Sequence, residues 1–155
     1  MENRTLEFDC AGLESGGKFP VENTGYGQDV SPAFLLKNLS PAAKTIAITL
    51  EDLSHPIKNF THWVIWNIPA ASRIPGGIPA GSRTPGWGGA CQGIGYGVHR
   101  YAGPKPPKGK THTYRFTVYA LDCAVELSAR SRKRAFLKKA GAHIVQQGSI
   151  TGEFA

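Results

Sequence analysis

The chain has 155 residues, of which 41% are hydrophobic and 19% charged, and its formal net charge is +7. That length fits a single domain over 1–155 with a sizeable core, and the composition excludes a disordered chain. No stretch reaches the ~20 apolar residues that span a bilayer, residues 1–7 lack the apolar core of a secretory leader, and the dispersed Cys10, Cys91 and Cys123 fit neither a disulfide framework nor a zinc-thiolate pair, so the cytoplasm is the expected compartment.

Nineteen Gly and eleven Pro lie scattered among apolar segments, which predicts short strands joined by many turns. A first strand is read over 45–50, a β-branched apolar run. A second covers 62–68 and stops at Pro69. On strict alternation His62, Val64, Trp66 and Ile68 share one of its faces, with Trp63 and Trp66 on opposite faces. Residues 70–110 are rich in Gly and Pro and read as one long loop region of the kind that carries function. A third strand over 111–121 places His112, Tyr114, Phe116 and Val118 on one face. A helix is predicted over roughly 129–146, capped by Ser128 or Ser131, with Phe136, Ala140 and Ile144 as its apolar stripe. A weaker closing strand follows over 148–154.

Charge is uneven along the chain: residues 1–30 carry −4, 31–82 carry +2 and 83–155 carry +9. A cationic half attracts anions of any kind. Six basic residues, Arg130, Arg132, Lys133, Arg134, Lys138 and Lys139, crowd the predicted helix. They spread part-way around it, as on a solvated face, so no nucleic-acid partner is expected.

Three places carry chemistry. Asp52 follows the first strand, His62 opens the second, and His112 and Tyr114 open the third. Strand ends meeting at one rim form a concave site, which the loop 101–110 can wall. Imidazole N–H groups and a Tyr hydroxyl donate to an anion. A carboxylate beside an imidazole favours its charged form and fixes its tautomer. His55, His99 and His143 are read as loop, Gly-rich loop and helix-packing residues, with His99 the one of the three nearest to lining a pocket.

These residues resemble a known family. The run Thr61-His62-Trp63-Val64-Ile65-Trp66-Asn67-Ile68-Pro69 resembles the HWVxxNIP segment of bacterial phosphatidylethanolamine-binding proteins, also called Raf-kinase-inhibitor-like proteins. The run from Tyr101-Ala102-Gly103-Pro104 to His112-Thr113-Tyr114 resembles their YxGPxPPxGxxHxY signature, and Arg115 to Asp122 follows in place of RYxFxVYALD. Asp52-Leu53-Ser54-His55-Pro56 stands where DPDxP belongs, Ser31-Pro32-Ala33-Phe34 resembles SPxL, and the run 85–93 resembles a glycine-rich loop whose Trp87 either lids the site or packs. Ser54 replaces a carboxylate and Thr113 replaces an Arg of the pattern. The resemblance implies a mainly β, sandwich-like fold with one or two short helices near the C-terminus. It implies a pocket of Asp52, His62, Gly103, Pro104, His112 and Tyr114 that binds phosphate, acetate-like anions, a phosphorylated small molecule or a phospholipid head group. A kinase or other protein partner and a homodimer follow from the family alone.

The expected function is therefore capture of a phosphate-like anion, with no cofactor and no resident metal. The alternative is an enzyme using the His/Asp pair for acid–base or metal-assisted chemistry. Anion binding through a charged imidazole weakens above roughly pH 6.5–7, whereas metal binding strengthens.

Overall fold

The computed structural model describes residues 4–155, and the first three residues of the segment read as lacking a leader lie outside them. Eleven elements are used below: β1 (Phe8–Cys10), β2 (Gly17–Lys18), β3 (Phe34–Leu36), β4 (Thr45–Asp52), β5 (Phe60–Pro69), β6 (Arg73–Ile74), β7 (Arg83–Thr84), β8 (Ala90–Gln92), β9 (His112–Leu121), α1 (Lys133–Ala140) and β10 (Ile144–Phe154). They build a seven-stranded sheet in the order β2-β10-β9-β4-β5-β8-β7 and a three-stranded sheet in the order β1-β3-β6. The architecture is mainly β with one short helix near the C-terminus, as the resemblance implies.

The central strand β4 is buried at all eight positions, because both faces of the large sheet are covered. On one face Ile46, Ile48 and Leu50 of β4 meet Phe116, Val118 and Ala120 of β9, Trp63 and Ile65 of β5, and Phe34 and Leu36 of the small sheet. On the other, Ala47, Val64, Trp66, Tyr119 and Leu121 pack against Phe136 and Ala140 of α1. Trp63 and Trp66 thus serve opposite faces. Phe136 is fully buried and stacks on Trp66 at 5.8 Å between centroids.

The helix is shorter than the predicted 129–146. It begins at Lys133 with Arg132 as N-cap and no side-chain cap, so neither Ser128 nor Ser131 plays that part. Residues 144–147 belong to β10, because Ile144 pairs with Leu121 and the ladder to β9 runs on to Phe154 beside His112. The loop region 70–110 contains β6, β7 and β8. It is pinned by the buried Gln92, whose side chain accepts from Trp63 Nε1 at 2.8 Å and donates to the carbonyls of Pro79 and Gly81 at 2.9 Å each. Trp87 packs against the core and donates to the Pro75 carbonyl at 3.0 Å, so it packs rather than lids.

Two bulges interrupt the β4–β5 ladder. Ile46 pairs with Ile68 but Ile48 with Ile65, and Leu50 pairs with Trp63 but Glu51 with Thr61. The first bulge centres on Asn67, held at φ 66°. Its side chain accepts from Val125 N–H at 2.8 Å and donates to Val125 O at 2.9 Å. The second leaves His62 as the extra residue, and an extra residue re-aims its side chain.

Candidate functional site

Asp52 and Tyr114 extend the apolar rows Ile46-Ile48-Leu50 and Ala120-Val118-Phe116 to the rim of the sheet, and the two are cross-strand partners. His112 continues the β9 row one pleat further. Strict alternation would send His62 to the helix face with Val64 and Trp66. The bulge sends it instead toward Asp52: Nε2 of His62 lies 4.0 Å from Oδ2 of Asp52, and its ring sits edge-on to Tyr114 at 5.5 Å. The shared face read for His62, Val64, Trp66 and Ile68 is therefore wrong, because β5 is not a regular strand. The two bulges place Val64 and Trp66 on the helix face and Ile68 and His62 on the other.

Asp52 is only 3% exposed. Its Oδ2 accepts from His112 Nδ1 at 2.7 Å, and its Oδ1 accepts from the Ser54 N–H at 2.9 Å. Nδ1 of His62 faces the Ala102 carbonyl at 2.9 Å and the Gly103 carbonyl at 3.3 Å. Carbonyl and carboxylate oxygens only accept, so both imidazoles carry hydrogen on Nδ1. Burial pushes His62 below its ordinary value of 6.5, outweighing the Ala102 hydrogen bond and the Asp52 charge. A neutral His62 then offers a bare Nε2 lone pair toward Asp52. This departs from an imidazolium-lined pocket: at His62 desolvation defeats the nearby carboxylate.

The cavity in front of these groups has a volume of about 650 Å³. Asp52, His62 and His112 line it, and the loop supplies Lys105, Pro106, Pro107 and Lys110 as its wall. Both lysines are exposed at the rim. Ser54, His55, Pro56, Tyr96 and Thr111 complete the lining. His55 stacks on Phe60 at 4.0 Å, so its loop position does reach the site. A larger hollow of about 800 Å³ lies over residues 8–18 and carries no imidazole, so size alone does not choose the site.

Three expected pocket residues stand behind the wall. Tyr114 is fully buried, and its hydroxyl faces the Lys105 backbone. Burial, then Asp52, raises its pKa well above the phenol range, so it stays an O–H donor. Gly103 does not line the cavity. It holds His62 through its carbonyl, and a Cβ there would lie 2.2 Å from the Asn23 carbonyl. Pro104 accepts from Gly25 N–H at 2.8 Å, away from the cavity. His99 is tied by Nδ1 to the Gln92 carbonyl at 2.9 Å and lines nothing here. His143 does not pack the helix; it is exposed and paired with Asp122.

Sequence reading missed Asp29. It is held at φ 59°, and its carboxylate accepts from Gly103 N–H at 2.7 Å and from Arg100 at 3.1 Å. It thereby fixes the peptide whose carbonyl orients His62. Asp29 and Gly103 are 74 residues apart, so no local spacing reveals the pair. Lys105 and Lys110 were legible as part of the 101–114 run, but their place on the rim was not.

The sequence profile of the phosphatidylethanolamine-binding protein family matches residues 11–155. The UPF0098 protein PH1269 of Pyrococcus horikoshii is 35% identical, over 86% of this chain and 68% of that protein. The crystal structure of YbcL from E. coli, described as a new member of the mammalian PEBP family, superposes with a TM-score of 0.84, covering 96% of this chain and 97% of that one at 24% identity. A putative lipoprotein of Mycobacterium tuberculosis, LppC, is 33% identical over 72% of this chain and 53% of that protein. No helix among the described residues is long and apolar enough to cross a membrane. With a named lipoprotein among its relatives, likeness alone does not assign the chain to a compartment.

Proposed function

The chain belongs to the phosphatidylethanolamine-binding protein family, and from that premise we propose that its cavity captures the monoanion of a phosphate or phosphomonoester. Family membership supports a ligand-binding role in general; the local chemistry supports this ligand class. The observation that carries it is the convergence of His62 and His112 on one oxygen of Asp52 beneath a rim bearing Lys105 and Lys110. The lysines favour a negative guest. The bare Nε2 of His62 beside a carboxylate favours a guest that brings a hydrogen of its own. The monoanion, H2PO4− or a phosphomonoester carrying one proton, satisfies both: an O–H donates into the His62–Asp52 gap, and the remaining oxygens face the rim. The dianion brings a second charge against Asp52 and is bound less well.

Isothermal titration with inorganic phosphate at pH 6 and pH 8 tests this. Binding is expected to be stronger at pH 6. His112→Ala and the pair Lys105→Ala/Lys110→Ala are each expected to lower affinity at least ~10-fold, as loss of a charge-assisted contact does. Lys139→Ala, on the exposed side of α1, leaves it unchanged. Equal loss in Lys139→Ala, or binding that strengthens with pH, would sink the proposal.

A further inference from the structure

The pocket occupies one end of β9, and the other end carries a second cluster. Asp122 and Cys123 follow β9, His143 precedes β10, and their donor atoms all lie within 4.8 Å of one another. The geometry points to a binding site for a zinc-like divalent ion, held by the Asp122 carboxylate, the Cys123 thiolate and the His143 imidazole.

The backbone under these side chains is fixed. Asp122 N–H donates to the His143 carbonyl at 3.0 Å, Leu121 pairs in register with Ile144, and the Thr45 hydroxyl donates to the Cys123 carbonyl at 2.7 Å. The side chains are free to adjust, since those of His143 and Asp122 are about half exposed (49% and 45%). Zinc ligands sit at roughly 2.0–2.3 Å from the ion, so the donors close in by rotating at the surface with no shift of the strands. One sulfur, one nitrogen and one oxygen form a borderline-soft set that suits zinc or cobalt(II), whereas magnesium and calcium seek oxygen alone. Three protein ligands leave a fourth position for water.

Two rival readings account for less. A surface His–Asp pair at 3.0 Å is worth little by itself and gives Cys123 no part. A nucleophilic cysteine needs an imidazole nitrogen within hydrogen-bond reach, whereas the side chain that the Cys123 thiol meets is the Asp122 carboxylate. A cation bound among the three engages all of them, and it takes the place of the thiol proton, which leaves to solvent. β9 spans ten residues, about 30 Å at strand rise, so this site and the anion pocket act separately.

Titration of the whole chain with Co²⁺ under a phosphine reductant tests the site. One equivalent is expected to bind and to give a thiolate-to-cobalt charge-transfer band that Zn²⁺ abolishes by displacement. Cys123→Ser removes the band, and His143→Gln and Asp122→Asn each weaken binding at least ~10-fold. The band persists in His112→Ala, which separates this site from any cobalt held in the pocket. A second readout needs no variant: Cys10 and Cys91 are buried, so Cys123 is the thiol that a maleimide reaches, and Zn²⁺ slows its alkylation at least ~10-fold. Absence of the band, its survival in Cys123→Ser, indifference to His143→Gln, or alkylation unaltered by Zn²⁺ overturns the assignment.

Discussion

At the scale of single residues the site turns on which nitrogen of each imidazole holds its hydrogen. His62 donates from Nδ1 to the Ala102 carbonyl and keeps Nε2 for the cavity, and burial keeps it neutral. A group with a lowered folded-state pKa binds fewer protons folded than unfolded between that value and 6.5. Its contribution to stability is therefore complete above pH 6.5 and is lost as pH falls below it. Urea unfolding at pH 7.5 and pH 5 should show this acid sensitivity in the wild type and a smaller difference in His62→Gln. An undiminished difference in that variant would place the acid sensitivity elsewhere. Asp29→Asn should loosen the same arrangement, because Gly103 N–H and Arg100 lose a charged acceptor. Phosphate affinity is expected to fall a few-fold, with the fold retained by far-ultraviolet circular dichroism. Alternation along the third strand made His112 and Tyr114 readable as one row, and Asp52 was legible only as a strand end. Alternation could not show that Tyr114 is sealed beneath the pocket or that Asp29 stands behind it, because both depend on contacts between distant segments.

At the scale of elements, β5 carries the decisive irregularity. Regular alternation over residues 63–66 turns Trp63 to one core and Trp66 to the other, while the flanking bulges turn His62 to the pocket and Ile68 to the core of Trp63. Asn67 holds the first bulge in the left-handed region with two side-chain bonds to Val125. Asn67→Ala loses both bonds and adopts that conformation poorly, so we expect a cost of about 2–3 kcal/mol in denaturant unfolding. Asn67→Gly should cost less, since only the bonds are lost. Equal costs would remove backbone conformation from the account. The HWVxxNIP-like run located β5, but a period-two pattern contains no signal for an extra residue. The helix was overextended for a related reason. Ile144 falls at helical spacing from Phe136 and Ala140, yet pairing with Leu121 draws it into β10, and tertiary pairing overrides a local pattern.

At the scale of the molecule the large sheet separates two duties. One face and its rim hold the pocket, while the other holds α1 through Phe136 and through the buried Glu51, which binds Arg115 at 3.1 Å and also Lys133. Phe136→Ala empties a fully buried aromatic site and should cost about 3–5 kcal/mol by denaturant unfolding. Phosphate affinity of the folded fraction should change less than about twofold, because no pocket group touches that face. A matching loss of affinity would contradict the separation. The family resemblance made the overall fold legible, because several motifs occur in order from Ser31 onward. Which face each motif serves required the register of the sheet. The central claim, that the two imidazoles His62 and His112 face one anion, is tested most directly by following the imidazole ¹⁵N resonances during a phosphate titration at pH 6. Saturable shifts at His62 and His112, with His99 and His143 unmoved, are the predicted result. Phosphate that shifts neither pocket imidazole, or moves His143 instead, would contradict it.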